Sequence, residues 1–127
     1  MREGTPRCSE KIRSHRDLVV WAAALSLTEC LYQTTASFPK HELFGLTRQI
    51  RRASVSVASN IAEGSARQSR AEFIQFLHIA RGSLAELETQ VELAYRLDFL
   101  DRSSELDDQI DKVGRMLSSL IRSLRAS

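Results

Sequence analysis

A chain of 127 residues with 43% hydrophobic and 27% charged side chains is large enough to bury a core of its own and too apolar to stay disordered. Its formal net charge of +2 does not by itself point to a polyanionic partner, and no apolar run approaches the ~20 residues that a membrane span requires. The charge is uneven, with 11 Lys/Arg against 6 Asp/Glu in residues 1–70 and 7 against 10 in residues 71–127. Such asymmetry suits either an anionic partner or the docking of a basic element on an acidic one, in the same chain or a neighbouring copy.

Residues 1–13 mix charge with Gly4 and Pro6 and show no periodicity, so a mobile tail is expected there, followed by one domain over 14–127. Cys8 and Cys30 form no CxxC pair and have no histidine cluster beside them, which predicts free thiols in a reducing, cytoplasmic setting. Val19–Leu27 follows Arg13, His15 and Arg16 in the manner of a signal peptide. Asp17 and Glu29 flank it, however, and helical periodicity runs past it.

Ser14, three residues before Asp17, is a candidate cap for the first helix. Val20, Ala24, Leu27 and Leu31 recur at +4, +3, +4, with Trp21 and Leu25 widening that face, and the helix should end near Ala36. Proline at 39 disfavours helical geometry at Phe38 and makes Ser37–Lys40 a connection. The second helix has its seam at Leu43, Leu46, Ile50, Ala53, Val57 and Ile61. Gly64 is placed to end it in the left-handed conformation.

Ser69-Arg70-Ala71-Glu72 is a capping box, in which the serine hydroxyl takes the glutamate's amide and the glutamate reaches back to the serine's amide. The third helix carries Phe73, Leu77, Ala80, Leu84, Leu87, Val91 and Ala94 and should run about 26 residues, or ~40 Å. Gly82 within it has two readings: close approach of a neighbouring helix, or a surface glycine. Asp101–Ser104 supplies turn and cap residues before a fourth seam of Leu106, Ile110, Val113, Leu117, Leu120, Ile121 and Leu124. Four helices with short loops predict an all-α, antiparallel up-down-up-down four-helix bundle.

A second apolar set, Phe76, Ile79, Leu93, Leu97, Phe99 and Leu100, lies partly outside the third seam. One bundle core does not easily cover it, so self-association is expected, with Phe76, Ile79, Leu93 and Leu97 as interface candidates.

The chain has no Walker loop, dinucleotide fingerprint, nucleophile elbow or metal-spaced His/Cys set, which argues against the common enzyme classes and against a cofactor. His41-Glu42 resembles the start of a zincin motif, but Gly45 stands where the second histidine belongs. His78 reads as a partly buried, hydrogen-bonded residue. Glu86, Glu88 and Glu92 lack the Glu-x-x-His step of a di-metal bundle and read as a solvated face or as partners for arginines across a subunit contact.

The sharpest feature is Arg48, Arg51 and Arg52. At 100° per residue they share about a third of a turn opposite the core seam, with Ser56, Ser59 and Glu63 extending that side. Guanidinium forks on one helix face suit phosphates, and so an RNA or DNA backbone. The same arginines suit ion pairs with acidic residues of the third helix. No aromatic residue interleaves the stripe in the sequence, so base stacking is not predicted there.

From about Asp17 to Leu100 the chain resembles the four-helix bundle family of proteins encoded in intervening sequences of large-subunit ribosomal RNA genes. The resemblance rests on Phe44-Gly45-Leu46-Thr47-Arg48-Gln49-Ile50-Arg51-Arg52-Ala53, continuing through Val55-Ser56-Val57 to Ser59-Asn60-Ile61-Ala62-Glu63-Gly64. A second block runs from Glu72-Phe73-Ile74 through Ala80-Arg81-Gly82-Ser83-Leu84-Ala85-Glu86-Leu87-Glu88-Thr89-Gln90. Ala58 stands where the family often has proline, and Ala22 where it often has glutamine. The chain is also similar to the accessory proteins of diversity-generating retroelements, whose basic pentameric barrels work with a reverse transcriptase and nucleic acid. The resemblance implies a homopentamer of four-helix protomers, no enzymatic activity and a nucleic-acid role. Two readings follow: an oligomer that binds RNA or another nucleic acid through the helix-two arginines, and an adaptor that engages a protein partner.

Overall fold

The computed structural model describes residue 15 and residues 18–127. The tail expected over 1–13, the candidate cap Ser14 and its partner Asp17, and Cys8 lie outside the described residues. Four helices carry the chain: α1 (Val19–Thr35), α2 (Leu46–Ser65), α3 (Arg70–Arg96) and α4 (Ser104–Ala126), with a 3-10 turn at Lys40–Glu42. No strand occurs among the described residues, so the fold is all-α. No helix of the described residues is long and apolar enough to cross a membrane.

The heptad-like spacing places one stripe of each helix in a common core. Val20, Ala24, Leu27 and Leu31 of α1 meet Leu46, Ile50, Ala53, Val57 and Ile61 of α2. Leu77, Ala80, Leu84, Leu87, Val91 and Ala94 of α3 and Leu106, Ile110, Val113, Leu117 and Ile121 of α4 complete it. Fully burying one Leu or Ile contributes about 1.5–3 kcal/mol, so these stripes outweigh the polar terms discussed below. Phe73, Leu120 and Leu124, predicted in the seams, are partly buried against the core.

Each helix packs on the next in sequence, α1 also touches α4, and the diagonal pairs do not meet. Cross-helix contacts pair rising numbers on one helix with falling numbers on the next. Thr28 bonds to Ser54 and Thr35 to Arg51, and Tyr95 meets Asp107 while Arg81 meets Ser118.

Three local expectations need correction. Leu43, predicted to open the α2 seam, is 48% exposed, because the chain spends Lys40–Glu42 on a 3-10 turn and α2 begins only at Leu46. Leu25 is likewise exposed rather than part of the core face. Gly64 does not end α2 in a left-handed cap: no glycine among the described residues has positive φ, and the helix continues to Ser65. Its role is steric, since a Cβ there would stand 2.6 Å from Phe76 Cβ and 3.0 Å from Phe73 Cδ1. Gly82, by contrast, has open space around it, which settles its two readings within the protomer in favour of a surface glycine.

The caps follow the sequence more closely. Ser69 Oγ accepts the Glu72 amide at 3.1 Å, although the glutamate carboxylate accepts from the serine hydroxyl instead of the serine's amide. Ser103 Oγ accepts the Leu106 amide at 3.1 Å at the start of α4.

Candidate functional site

The α1–α2 connection determines what stands beside the arginines. Gly45 at the N-cap of α2 has no side chain to offer, and Glu42 reaches forward so that its Oε1 accepts the Leu46 N–H at 3.0 Å. A Cβ at Gly45 would sit 2.7 Å from that oxygen, so glycine leaves the carboxylate its place. With Glu42 turned toward the helix, Leu43 and Phe44 are turned outward, and Phe44 is 79% exposed. Arg48 and Arg52 stand at i, i+4 on one row of the α2 surface, and Phe44 lies in the turn just before the helix.

Arg51 differs from its two neighbours. Its Nε donates to Thr35 Oγ1 at 2.9 Å, one Nη donates to the Tyr32 carbonyl at 3.3 Å, and its guanidinium lies 4.6 Å from the centre of the Tyr32 ring. Thr35 is buried and passes its own proton to the Leu31 carbonyl at 2.7 Å. Arg51 is therefore a strut between α2 and the last turn of α1, with cation–π stacking adding about 0.5–1 kcal/mol at such a partly exposed site. Arg48 and Arg52 are exposed, and among the described residues no carboxylate lies within 4 Å of any of the three arginines. The expected ion pairs with α3 do not form within the protomer.

Tyr32, Leu43, Phe44, Arg48, Arg51, Arg52, Val55 and Ser56 line an open hollow of about 660 Å³ between α1 and α2. No aromatic residue interleaves the stripe along α2 itself, but the structure brings Tyr32 from α1 and Phe44 from the connection beside it. Phe44 was within reach of sequence reasoning, since it stands just before the helix that carries the arginines. Tyr32 was not, since only the α1–α2 contact brings it there. Ser56, predicted to extend the arginine side, bonds Ser83 of α3 at 2.9 Å, while Glu63 is held by Arg67 at 3.0 Å.

The other flagged residues lie apart from this hollow. Ile79 and Leu93 on α3 and Leu97 at its C-cap are about half exposed. Phe76 is half-buried against Gly64, with Arg67 stacked 4.7 Å from its ring centre, and Phe99 packs on Phe38. Glu92 takes Arg96 at 3.0 Å and a two-pronged contact from Arg102 at 3.0 and 2.6 Å. The Arg102 hydrogen bonds first, and then that of Arg96, lower its pKa to about 2. Next to this pair, burial and then a 2.8 Å hydrogen bond to Asp107 push the Tyr95 hydroxyl up to about 12. No group of three or more His, Cys, Asp or Glu among the described residues is arranged to hold a metal ion.

Exposed guanidiniums without counter-charge beside an open aromatic face suit a phosphate backbone with an unstacked base. The profile of the 23S rRNA-intervening sequence protein family matches residues 16–119. A crystal structure from Bacteroides thetaiotaomicron VPI-5482, described as a protein with unknown function from the S23 ribosomal protein family, superposes with a TM-score of 0.73. The two chains are 28% identical, over 82% of this chain and 96% of that one. No curated protein matches at a significant level.

Proposed function

The chain belongs to the 23S rRNA-intervening sequence protein family, and from that premise we propose that it is a non-enzymatic, cytoplasmic, oligomeric module that binds single-stranded RNA in the hollow between α1 and α2. The observation that carries this reading is the pairing of two uncompensated guanidiniums, Arg48 and Arg52, with the 79% exposed ring of Phe44. Arg48 and Arg52 hold backbone phosphates, Phe44 stacks a base, and Arg51 keeps Tyr32 in place as the far wall. The protomer is an antiparallel up-down-up-down bundle, a reading supported by the opposed numbering of the cross-helix contacts. Five copies assemble as the family resemblance implies, using Ile79 and Leu93 on α3 and Leu97 at its C-cap.

The test is fluorescence anisotropy with labelled single-stranded RNA at low and physiological salt, with oligomer mass followed by light scattering. Each of Arg48→Gln and Arg52→Gln should weaken binding and flatten the log–log salt slope by about 0.7. Phe44→Ala should cost about 1–3 kcal/mol of binding with little effect on the salt slope. Unchanged affinity in all three variants would remove the hollow from the function. Loss of assembly in the arginine variants would instead assign these residues to a subunit contact.

A second reading is favoured by Leu43 and Val55, both exposed within the same hollow. Here the hollow seats an apolar segment of a protein partner, and the arginines supply its rim. Capture of that partner would survive Arg48→Gln but not Leu43→Asp, and RNA would bind neither form.

A further inference from the structure

On a different face, where α3 packs on α4, donors outnumber acceptors. His78 of α3 has both ring nitrogens against guanidiniums, Nδ1 at 3.1 Å from Arg81 Nη2 and Nε2 at 3.0 Å from Arg125 Nη2. A neutral imidazole has one lone pair, so in either tautomer one of the two arginines faces a ring N–H; a protonated ring has no lone pair at all. Arg81 also donates to Ser118 Oγ at 3.2 Å, which fixes it across the α3–α4 seam.

Arg115, Ser118, Arg122 and Arg125 follow at +3, +4, +3 on one row of α4. Among the described residues no carboxylate lies within 4 Å of Arg81, Arg115, Arg122 or Arg125. The helix dipole favours cations only in the last turn of α4, where Arg125 stands, and does not account for Arg81 or Arg115.

We propose that this cluster is a cradle for a phosphate group, in which the oxyanion supplies the acceptor that His78, Arg81 and Arg125 lack. A phosphate presents several oxygens to guanidinium forks and a ring N–H together, which one carboxylate would not satisfy as fully. The cradle opens beside a hollow of about 500 Å³ lined by Arg81, Arg115 and Arg122 toward one end and by Glu88 and Asp111 toward the other. The two carboxylates repel an anion and confine the phosphate to the arginine end. Both an RNA backbone and free inorganic phosphate carry this chemistry.

The test follows the ring signals of His78 by nuclear magnetic resonance in the full chain. One arm adds inorganic phosphate, one adds a short single-stranded RNA, and one adds sodium chloride at matched ionic strength. Saturable movement with either phosphate source but not with chloride is expected, and the arm that responds identifies the source. Arg81→Gln and Arg125→Gln should each weaken the response about tenfold or more, as loss of a charged hydrogen bond does. In the inorganic phosphate arm the response needs no RNA and depends on Arg81 and Arg125, which separates failure of this cradle from failure of the α1–α2 hollow. No movement in either phosphate arm, equal movement with chloride, or wild-type affinity in both cradle variants would overturn the proposal.

Discussion

Two glycines in equally helical surroundings have opposite duties, and the difference can be measured. At Gly64 a methyl group would collide with Phe76 Cβ at 2.6 Å and come within 3.3 Å of the Phe73 backbone oxygen, so neither neighbour yields cheaply. Gly64→Ala should destabilise the protein by about 1–3 kcal/mol, as overpacking does. Gly82 has nothing within 4 Å, and Gly82→Ala should stabilise by about 0.5–1 kcal/mol through helix propensity. Urea unfolding of the two variants checks both signs; equal effects would mean that the α2–α3 approach is looser than described. From the sequence Gly64 read as a helix stop, because a glycine followed by Ser65 and Ala66 signals its backbone freedom and says nothing of the phenylalanines packed against it. Glu92 offers a pH test at the same scale. Its carboxyl, held at about 2 by Arg102 and Arg96, lies below the ordinary 4.5. The stabilisation it brings is therefore complete above pH 4.5 and lost as pH falls toward 2. Arg102→Gln should move its titration midpoint, followed through the carboxyl carbon resonance, most of the way back to 4.5; a wild-type midpoint already near 4.5 would mean that the pair does not hold in solution.

Among the elements, the four core stripes were readable because burial in a bundle repeats at a period the sequence displays directly. Ile50, Ala53, Val57 and Ile61 on α2 and the whole run from Leu77 to Ala94 on α3 stand where their spacing predicts. The caps at Ser69 and Ser103 were readable for a related reason, since each depends on residues three apart. The start of α2 was less so. Its cap comes from Glu42, four residues before the first helical amide, and that arrangement converts Leu43 from an expected core residue into an exposed one and leaves Phe44 exposed beside it. The candidate hollow was accordingly half legible. Arg48, Arg51 and Arg52 announced themselves by spacing, whereas the tethering of Arg51 and the arrival of Tyr32 depend on contacts between helices that no period within one helix encodes.

At the scale of the whole molecule, the half-exposed Ile79, Leu93 and Leu97 set a limit on what a lone protomer can be. Light scattering should give about five protomer masses. Leu93→Glu with Leu97→Glu should reduce this to one without unfolding the helices seen by circular dichroism, because the removed side chains are not part of the core. A single-protomer mass for the unaltered chain would dispose of the assembly. The uneven anchoring of α1 carries a further consequence. This helix packs more broadly on α2 than on α4, and its last turn is tied to α2 by the Arg51 strut. Native-state hydrogen exchange should therefore find the amides near Val20 opening at lower free energy than those near Leu31, with the α2–α3 pair as the slowest-exchanging unit. Since Tyr32 belongs to the held end, the wall of the hollow persists through these partial openings, and a bound strand would slow exchange around Leu31 and Tyr32 while leaving the loose end of the helix as it was.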